Sequence, residues 1–308
     1  MDLSGARIAV TGGAGFVGSH LADRLVDDNE VVVVDDLTNG DRAWVPDAAE
    51  LIEGDLTDPS VAAEAITADV DLVVHCAADK AADRDDIAQF RLNNRLTETV
   101  VERMDAVGVR KLAFTSSSVV YGEAPRPTPE DQPPAPISVY GASKVAEEAL
   151  LSVYAHSHGF TTWTFRFANV VGPRLQPGAV IVDFIEKLRA DPDRLEVLGD
   201  GRQEKSYLHV DDCVDAMTTV IEATDEPVNV YNLGTREATA VDEIAAIVAD
   251  EMGLDPELEH TGGERGWVGD VPRMQLDVSR LEALGWAADL GSDEAVRRAT
   301  RELLAERR

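Results

Sequence analysis

Short runs of Val, Ile and Leu recur along the first half of the chain, at RIAV (7–10), VVVV (31–34), LVVH (72–75), KLAF (111–114) and TTWTFR (161–166). Between them lie amphipathic stretches of helical period near 16–28, 59–67, 86–107 and 141–158. Strands alternating with helices of that length predict βαβ units, hence an α/β fold built on a parallel, doubly wound sheet.

After about residue 170 the pattern loosens. It predicts a helix near 179–190, an extended piece at LEVL (195–198), a helix after Asp211, a strand at 228–234, and helices near 241–252 and 292–306. The expected division is a first domain over 1–169 and a smaller α/β domain over 170–308, with a segment of about 207–234 returning to the main sheet. The run PRPTPEDQPPAP (125–136) is too Pro-rich for a helix, and the motifs on either side of it predict an ordered active-site loop.

Composition narrows the class. Hydrophobic residues make up 44% of the 308, enough for a full core and too many for a disordered chain. No apolar run reaches the roughly 20 residues of a membrane span, and the N-terminus carries no signal-peptide pattern, so a cytoplasmic setting is expected. Cys76 and Cys213 are too few for a disulfide framework, and no Cys/His cluster has zinc spacing, so no metal is expected.

Charge is the unusual feature. The 28 basic residues, only five of them Lys, face 58 acidic ones, a net charge of −30. Nucleic-acid binding needs a basic footprint and is excluded as an expectation. The acids are scattered, as in DRDD (83–86) and DPDR (191–194), rather than gathered in a tail. Hydrated surface carboxylates whose repulsion is screened by molar salt point to a halophilic cytosol.

The first strand runs straight into TGGAGFVGSHL, where Gly12, Gly15 and Gly18 are spaced as GxxGxxG. Such glycines serve a tight turn, close backbone approach to a pyrophosphate, and packing of helix on strand. The helix N-terminus then offers free N–H groups to phosphates. The second strand ends at Asp35, 23 residues after Gly12. A carboxylate there accepts both ribose hydroxyls and repels a 2′-phosphate, so the pattern favours NAD over NADP on a Rossmann-type sheet. In GDL (54–56), Asp55 can accept from the adenine amino group, with Leu56 against the ring. HCAADK (75–80) ends the fourth strand at the carboxyl edge, and His75 there reads as a structural histidine.

A second constellation follows: TSSSVVYG (115–122), then YGASK (140–144). Tyr140 and Lys144 are one helical turn apart and share a face. A nearby ammonium and a positive nicotinamide ring both favour the phenolate, which makes Tyr140 a feasible base, and a serine hydroxyl from the strand end can bond the same substrate oxygen.

With these motifs in place the chain resembles the extended short-chain dehydrogenase/reductase family of NAD-dependent epimerases and dehydratases. Within it the chain is most similar to the UDP-glucose 4-epimerases. The likeness runs nearly end to end, through TGGAGFVGSH, DDLTNG (35–40), GDL, HCAADK, RLNNRLT (91–97), FTSSSVVYG, YGASK, FRFANVVGP (165–173), GDGRQEKSYLHVDD (199–212), YNLG (231–234) and LGW (284–286). The resemblance implies Ser117 as the catalytic serine, Tyr140 as acid/base and Lys144 as its partner, both also touching the cofactor. It adds Phe16, Val17, Asp36, Asn39, Gly40, Ala77, Ala78, Lys80 and Asn93 to the NAD site. Asn169, after what reads as the last strand of the main sheet, matches the family's substrate-binding Asn. Lys205 stands where the family often has a diphosphate-binding Arg, and Arg265, near GWVGD (266–270), is a candidate second contact.

The implied reaction interconverts UDP-glucose and UDP-galactose through a 4-keto intermediate, in a homodimer paired through the helices near 86–107 and 142–158. Related 4,6-dehydratases carry acids directly after the catalytic hydroxyl residue, and nucleotide-sugar decarboxylases usually place a Glu there. Here those positions are Ser118 and Val119, which argues against both. Open alternatives are an epimerase of a UDP-uronate or UDP-N-acetylhexosamine, a decarboxylase or net oxidoreductase, and a non-catalytic NAD-sensing protein, though sensors usually lose the Tyr or Lys that is intact here.

Overall fold

In the structure, a computed structural model that describes residues 1–80, 86–266 and 270–306, strands and helices alternate through the first half of the chain. The strands are β1 (Arg7–Thr11), β2 (Glu30–Asp35), β3 (Glu50–Glu53), β4 (Leu72–His75), β5 (Lys111–Ser117) and β6 (Thr161–Phe167), and the helices α1 (Phe16–Leu25), α2 (Pro59–Ala65), α3 (Ile87–Val107) and α4 (Val139–His158). Then come β7 (Asn169–Val171), α5 (Val180–Ala190), β8 (Arg194–Val197), β9 (Glu204–Lys205), β10 (Tyr207–His209), α6 (Val210–Ala223), β11 (Val228–Leu233), β12 (Thr239–Ala240), α7 (Val241–Met252), β13 (Glu257–His260), β14 (Arg273–Met274), α8 (Ser279–Glu282) and α9 (Ser292–Glu306). Most of the acidic run at 83–86, and Trp267, Val268 and Gly269 of the GWVGD segment, lie outside the described residues.

Seven parallel strands form one sheet in the order β11-β6-β5-β4-β1-β2-β3. The chain builds outward from β1 through β3, then crosses back to lay β4 on the other side of β1. Loops leaving β1 and β4 therefore part in opposite directions and open a crevice at their carboxyl ends, where ligands bind in such sheets.

Alternation of side chains along each strand supplies both faces. On β1, Ile8 and Val10 face one core while Ala9 faces the other; on β2, Val31 and Val33 oppose Val32 and Val34. One core carries α2, α3 and α4. The other carries α1 and α6 and continues without a break into α5, α7 and α9. Full burial of each of these Val and Ile side chains contributes roughly 1.5–3 kcal/mol. A third, small cluster of Val120, Tyr121, Ala168, Val271, Met274 and Leu276 sits beneath the Pro-rich loop. That loop is non-helical and pinned: Thr128 exchanges backbone hydrogen bonds with Gln275 and Asp277, each 2.9 Å.

Three sequence expectations are corrected. The first helix ends at Leu25 rather than 28, because the Asn29 side chain bonds Leu25 O at 2.9 Å and accepts from Ala6 N at 3.0 Å, turning the chain into β2. Only the later part of the 207–234 segment joins the main sheet: β11 pairs with β6, whereas β10 pairs with β7 in a separate two-stranded sheet. For the same reason Asn169 does not follow the sheet's last strand, since β11 lies outside β6.

Candidate active site

The turn after β1 is built on glycine. Gly12 has φ +65°, and a Cβ there would sit 2.7 Å from Ala77 N, so the loop closes tightly on the end of β4. On α1, a Cβ at Gly18 would fall 2.2 Å from Gly12 O, so only glycine lets the helix seat against the turn. Gly15 is the N-cap of α1 and leaves the helix without a side-chain cap, with Phe16 buried and Val17 half-buried in its first turn. Uncapped N–H groups at a helix N-terminus suit a phosphate.

Asp35 closes the loop from the side. Its Oδ2 accepts from Ala14 N at 3.0 Å and its Oδ1 from Leu37 N at 2.9 Å. Burial pushes this carboxyl above its ordinary range, and the two N–H donors work against that rise. Asp36 and Asn39 are exposed; Asp36 accepts from Thr38 N at 2.9 Å, and Asn39 O accepts from the Gln176 side chain. Gly40 lies against Ala14. Beyond β3, Asp55 is exposed and accepts from Thr57 N at 2.8 Å, while Leu56 is buried. Beyond β4, Ala77 and Ala78 are half-buried and Lys80 holds its ammonium 5.9 Å over the Phe16 ring. These residues gather at the carboxyl ends of β1 to β4, and they fit a dinucleotide: a bare helix N-terminus, glycines packed too closely for a Cβ, and a carboxylate at the end of β2. Asn93 differs in kind. It is buried and bonds the backbone N and O of Asp79 at 2.8 and 3.0 Å and Ser143 Oγ at 3.1 Å, so it fastens the β4 loop to α3.

Ser117 is the last residue of β5, which runs three residues further than the KLAF pattern suggests, and it is half-buried. Ser138 caps α4 by accepting from Gly141 N at 3.0 Å, which places Tyr140 in the first turn and Lys144 one turn on. The Lys144 Nζ lies 5.8 Å from the Tyr140 ring centroid and 4.5 Å from that of Phe114. Burial pushes the Tyr140 phenol up; Lys144 pulls it down, and Glu147 and Asp79 push it up again. Burial alone would lower Lys144, yet Glu147 and Tyr140 outweigh it and hold the ammonium above its ordinary value.

Sequence reasoning missed Glu147. Its Oε2 accepts from Lys144 Nζ at 3.0 Å, both side chains being 1% exposed. Spacing of i, i+3 was the available signal, but Glu148 at i+4 competes for the same assignment. Glu148 instead meets Arg166 at 2.6 Å and Ser116 Oγ at 2.5 Å.

The diphosphate candidates come together, though not as free cations. Lys205 Nζ donates to buried Asp270 Oδ1 at 2.6 Å, and Arg265 donates to Asp270 O at 2.6 Å and also meets Glu123. Asp270, the second residue the sequence reading missed, thus joins the two. Asn169 opens β7 half-buried, and its Nδ2 has no hydrogen-bond partner among the described residues. His75 is buried between Thr11 Oγ1 at 2.7 Å and Thr97 Oγ1 at 3.1 Å.

Comparison with known proteins shows the family and the fold. A model of the family described as "NAD dependent epimerase/dehydratase" matches residues 8–234. A crystal structure of a UDP-galactose 4-epimerase superimposes with a TM-score of 0.89 at 44% identity, covering 97% of this chain and 99% of that one. The UDP-glucose 4-epimerase of Mycolicibacterium smegmatis is 33% identical over 305 residues, 94% of this chain and 96% of its own. A dTDP-glucose 4,6-dehydratase from Streptomyces venezuelae with NAD bound is also similar, with a TM-score of 0.88 at 26% identity, covering 98% of both chains.

Proposed function

The chain belongs to the NAD dependent epimerase/dehydratase family, and from that premise we propose that it is a nucleotide-sugar 4-epimerase interconverting UDP-glucose and UDP-galactose. It is an NAD-dependent enzyme of nucleotide-sugar chemistry; the particular reaction is the inference. The observation that carries it is the turn after Ser117. Tyr140 and Lys144 stand together, while the two positions after the serine hold a buried Ser118 and a half-buried Val119, with no carboxylate to drive loss of water.

When bound, NAD supplies a reversible hydride acceptor for sugar C4. The Tyr140 oxygen takes the 4-hydroxyl proton as that hydride leaves, and Ser117 hydrogen-bonds the same sugar oxygen. Lys144 steadies the phenolate, which burial would otherwise disfavour. The 4-ketohexose would turn over, take the same hydride back on its other face, and take its proton back from Tyr140. Lys205 and Arg265, held together by Asp270, would grip the diphosphate while the hexose stays loosely held. In this reading residues 1–169 with the returning β11 bind NAD and 170–308 bind the nucleotide sugar. Exposed Ile87 and Leu92 on α3 and Val153 on α4 support pairing of two chains through those helices.

The test is incubation of the purified protein with UDP-glucose, UDP-galactose, UDP-glucuronate and UDP-N-acetylglucosamine, each without added NADH. The expected product is the 4-epimer of a UDP-hexose. A 4-keto-6-deoxy sugar or released CO2 would put a dehydratase or decarboxylase in its place, and a 4-epimer of only the uronate or N-acetyl sugar would change the substrate.

A further inference from the structure

Glu147 is a buried carboxylate in direct contact with the lysine of the reacting pair, and donors from two helices hold it there. From α4, Lys144 donates to its Oε2 at 3.0 Å. From α3, Thr97 Oγ1 donates to the same oxygen at 3.2 Å. Thr97 is in turn bonded to His75 at the end of β4, and His75 to Thr11 at the end of β1. The other oxygen, Oε1, is buried and has no hydrogen-bond partner among the described residues. A buried carboxylate is costly unless a nearby charge compensates it, and Lys144 is the cation that touches it.

We propose that Glu147 is a positioning residue that sets how much of the Lys144 charge reaches Tyr140. This rests on the assignment of Tyr140 and Lys144 as the acid/base pair.

The groups facing that pair can be enumerated among the described residues. On α4 they are Tyr140, Lys144 and Glu147; on β4 and the loop after it, His75, Cys76 and Asp79. Burial pushes His75 down to about 3 and Cys76 up to about 12, so both are neutral near pH 7. What remains, beside the Asp79 carboxylate that also disfavours the phenolate, is one ammonium between a carboxylate in contact with it and a phenol one helical turn away. While Glu147 balances Lys144, Tyr140 keeps its proton more firmly; without that carboxylate, the phenolate becomes a principal counter-charge for the ammonium and forms more readily.

Tyr140 ionisation can be followed as phenolate absorbance of the NAD-loaded enzyme against pH, with the Tyr140→Phe titration subtracted. Glu147→Gln keeps the shape of the side chain and removes its charge. Its Tyr140 titration should fall by on the order of one pH unit, about tenfold in the ionisation constant, and the acid limb of kcat/KM should move with it. Glu147→Asp keeps the charge but withdraws it by a methylene, so it should shift the curve the same way by less. That variant carries the test if the glutamine chain does not fold. Curves that superimpose on the wild type, or move upward, would overturn the proposal. A merely structural Glu147 would lower Tm in both variants and move neither titration. The titration needs no sugar, so it stands apart from the substrate; if Tyr140→Phe kept its activity, the acid/base assignment itself would fall.

Discussion

The Asp35 carboxylate accepts a hydrogen bond from Ala14 N at 3.0 Å, so the residue that ends β2 also clasps the glycine loop that leaves β1. One side chain thereby ties the end of β2 to that loop, where the proposed site would seat the cofactor ribose.

Asp35→Ala should therefore weaken NAD by roughly tenfold or more, from the ~1.5–3 kcal/mol of a hydrogen bond to a charged group. It should also narrow the preference for NAD over NADP, since a 2′-phosphate would no longer meet a carboxylate. Competition binding of the two dinucleotides measures both; an unchanged ratio would remove Asp35 from the cofactor site.

Tyr140→Phe deletes one oxygen from a half-buried ring whose packing is otherwise kept. Turnover of the nucleotide-sugar substrate should drop about 10²–10⁴-fold while NAD stays bound, as expected for loss of one acid/base group. Initial rates alongside cofactor content of the purified variant separate the two effects, and retention of more than about a tenth of the activity would contradict the role.

His75 carries a pH signature. Burial holds it near 3 in the fold, against 6.5 for the free imidazole, so between those values the unfolded chain binds the extra proton. Its contribution is fully present above about pH 6.5 and is lost as pH falls toward 3, at up to about 1.4 kcal/mol per pH unit. Urea melts stepped from about pH 7 to 4 should show a steeper loss for the wild type than for His75→Gln, which cannot titrate. Equal slopes would mean that His75 protonates within the fold.

Salt should stabilise the protein. With 58 acids against 28 bases, cations are locally outnumbered: Arg7 serves Glu30, Glu50 and Asp69, and Arg297 serves Asp250 and Glu251. Surface pairs contribute roughly 0–1 kcal/mol each and cannot offset the excess. The Debye length shrinks from about 10 Å at 0.1 M to about 3 Å at 1 M, confining each charge to its neighbours. Against a folding margin of about 5–15 kcal/mol, Tm should rise substantially between about 0.1 and 2 M KCl. Sodium sulfate melts separate screening from strengthened apolar burial; a flat Tm in KCl would end the idea of a salt-adapted surface.

Hydrophobic runs, glycine spacing and the Tyr–Lys interval are local signals, because strand burial, a φ of +65° at Gly12 and one turn of helix each involve neighbours in sequence. From them the parallel sheet, the glycine loop after β1, the carboxyl edge at the end of β4, and the shared helix face of Tyr140 and Lys144 were legible. The partners of buried charges were not. Glu147 and Glu148 are adjacent and chemically identical, yet the packing of α4 turns one toward Lys144 and the other toward Arg166 on β6. Likewise Lys205 and Arg265 read as two separate cations until Asp270, 65 positions from Lys205, folds between them. Sequence determined which chemistry this chain carries; only the tertiary structure decided which charge stands beside which, because burial makes each charge depend on whichever element happens to cover it.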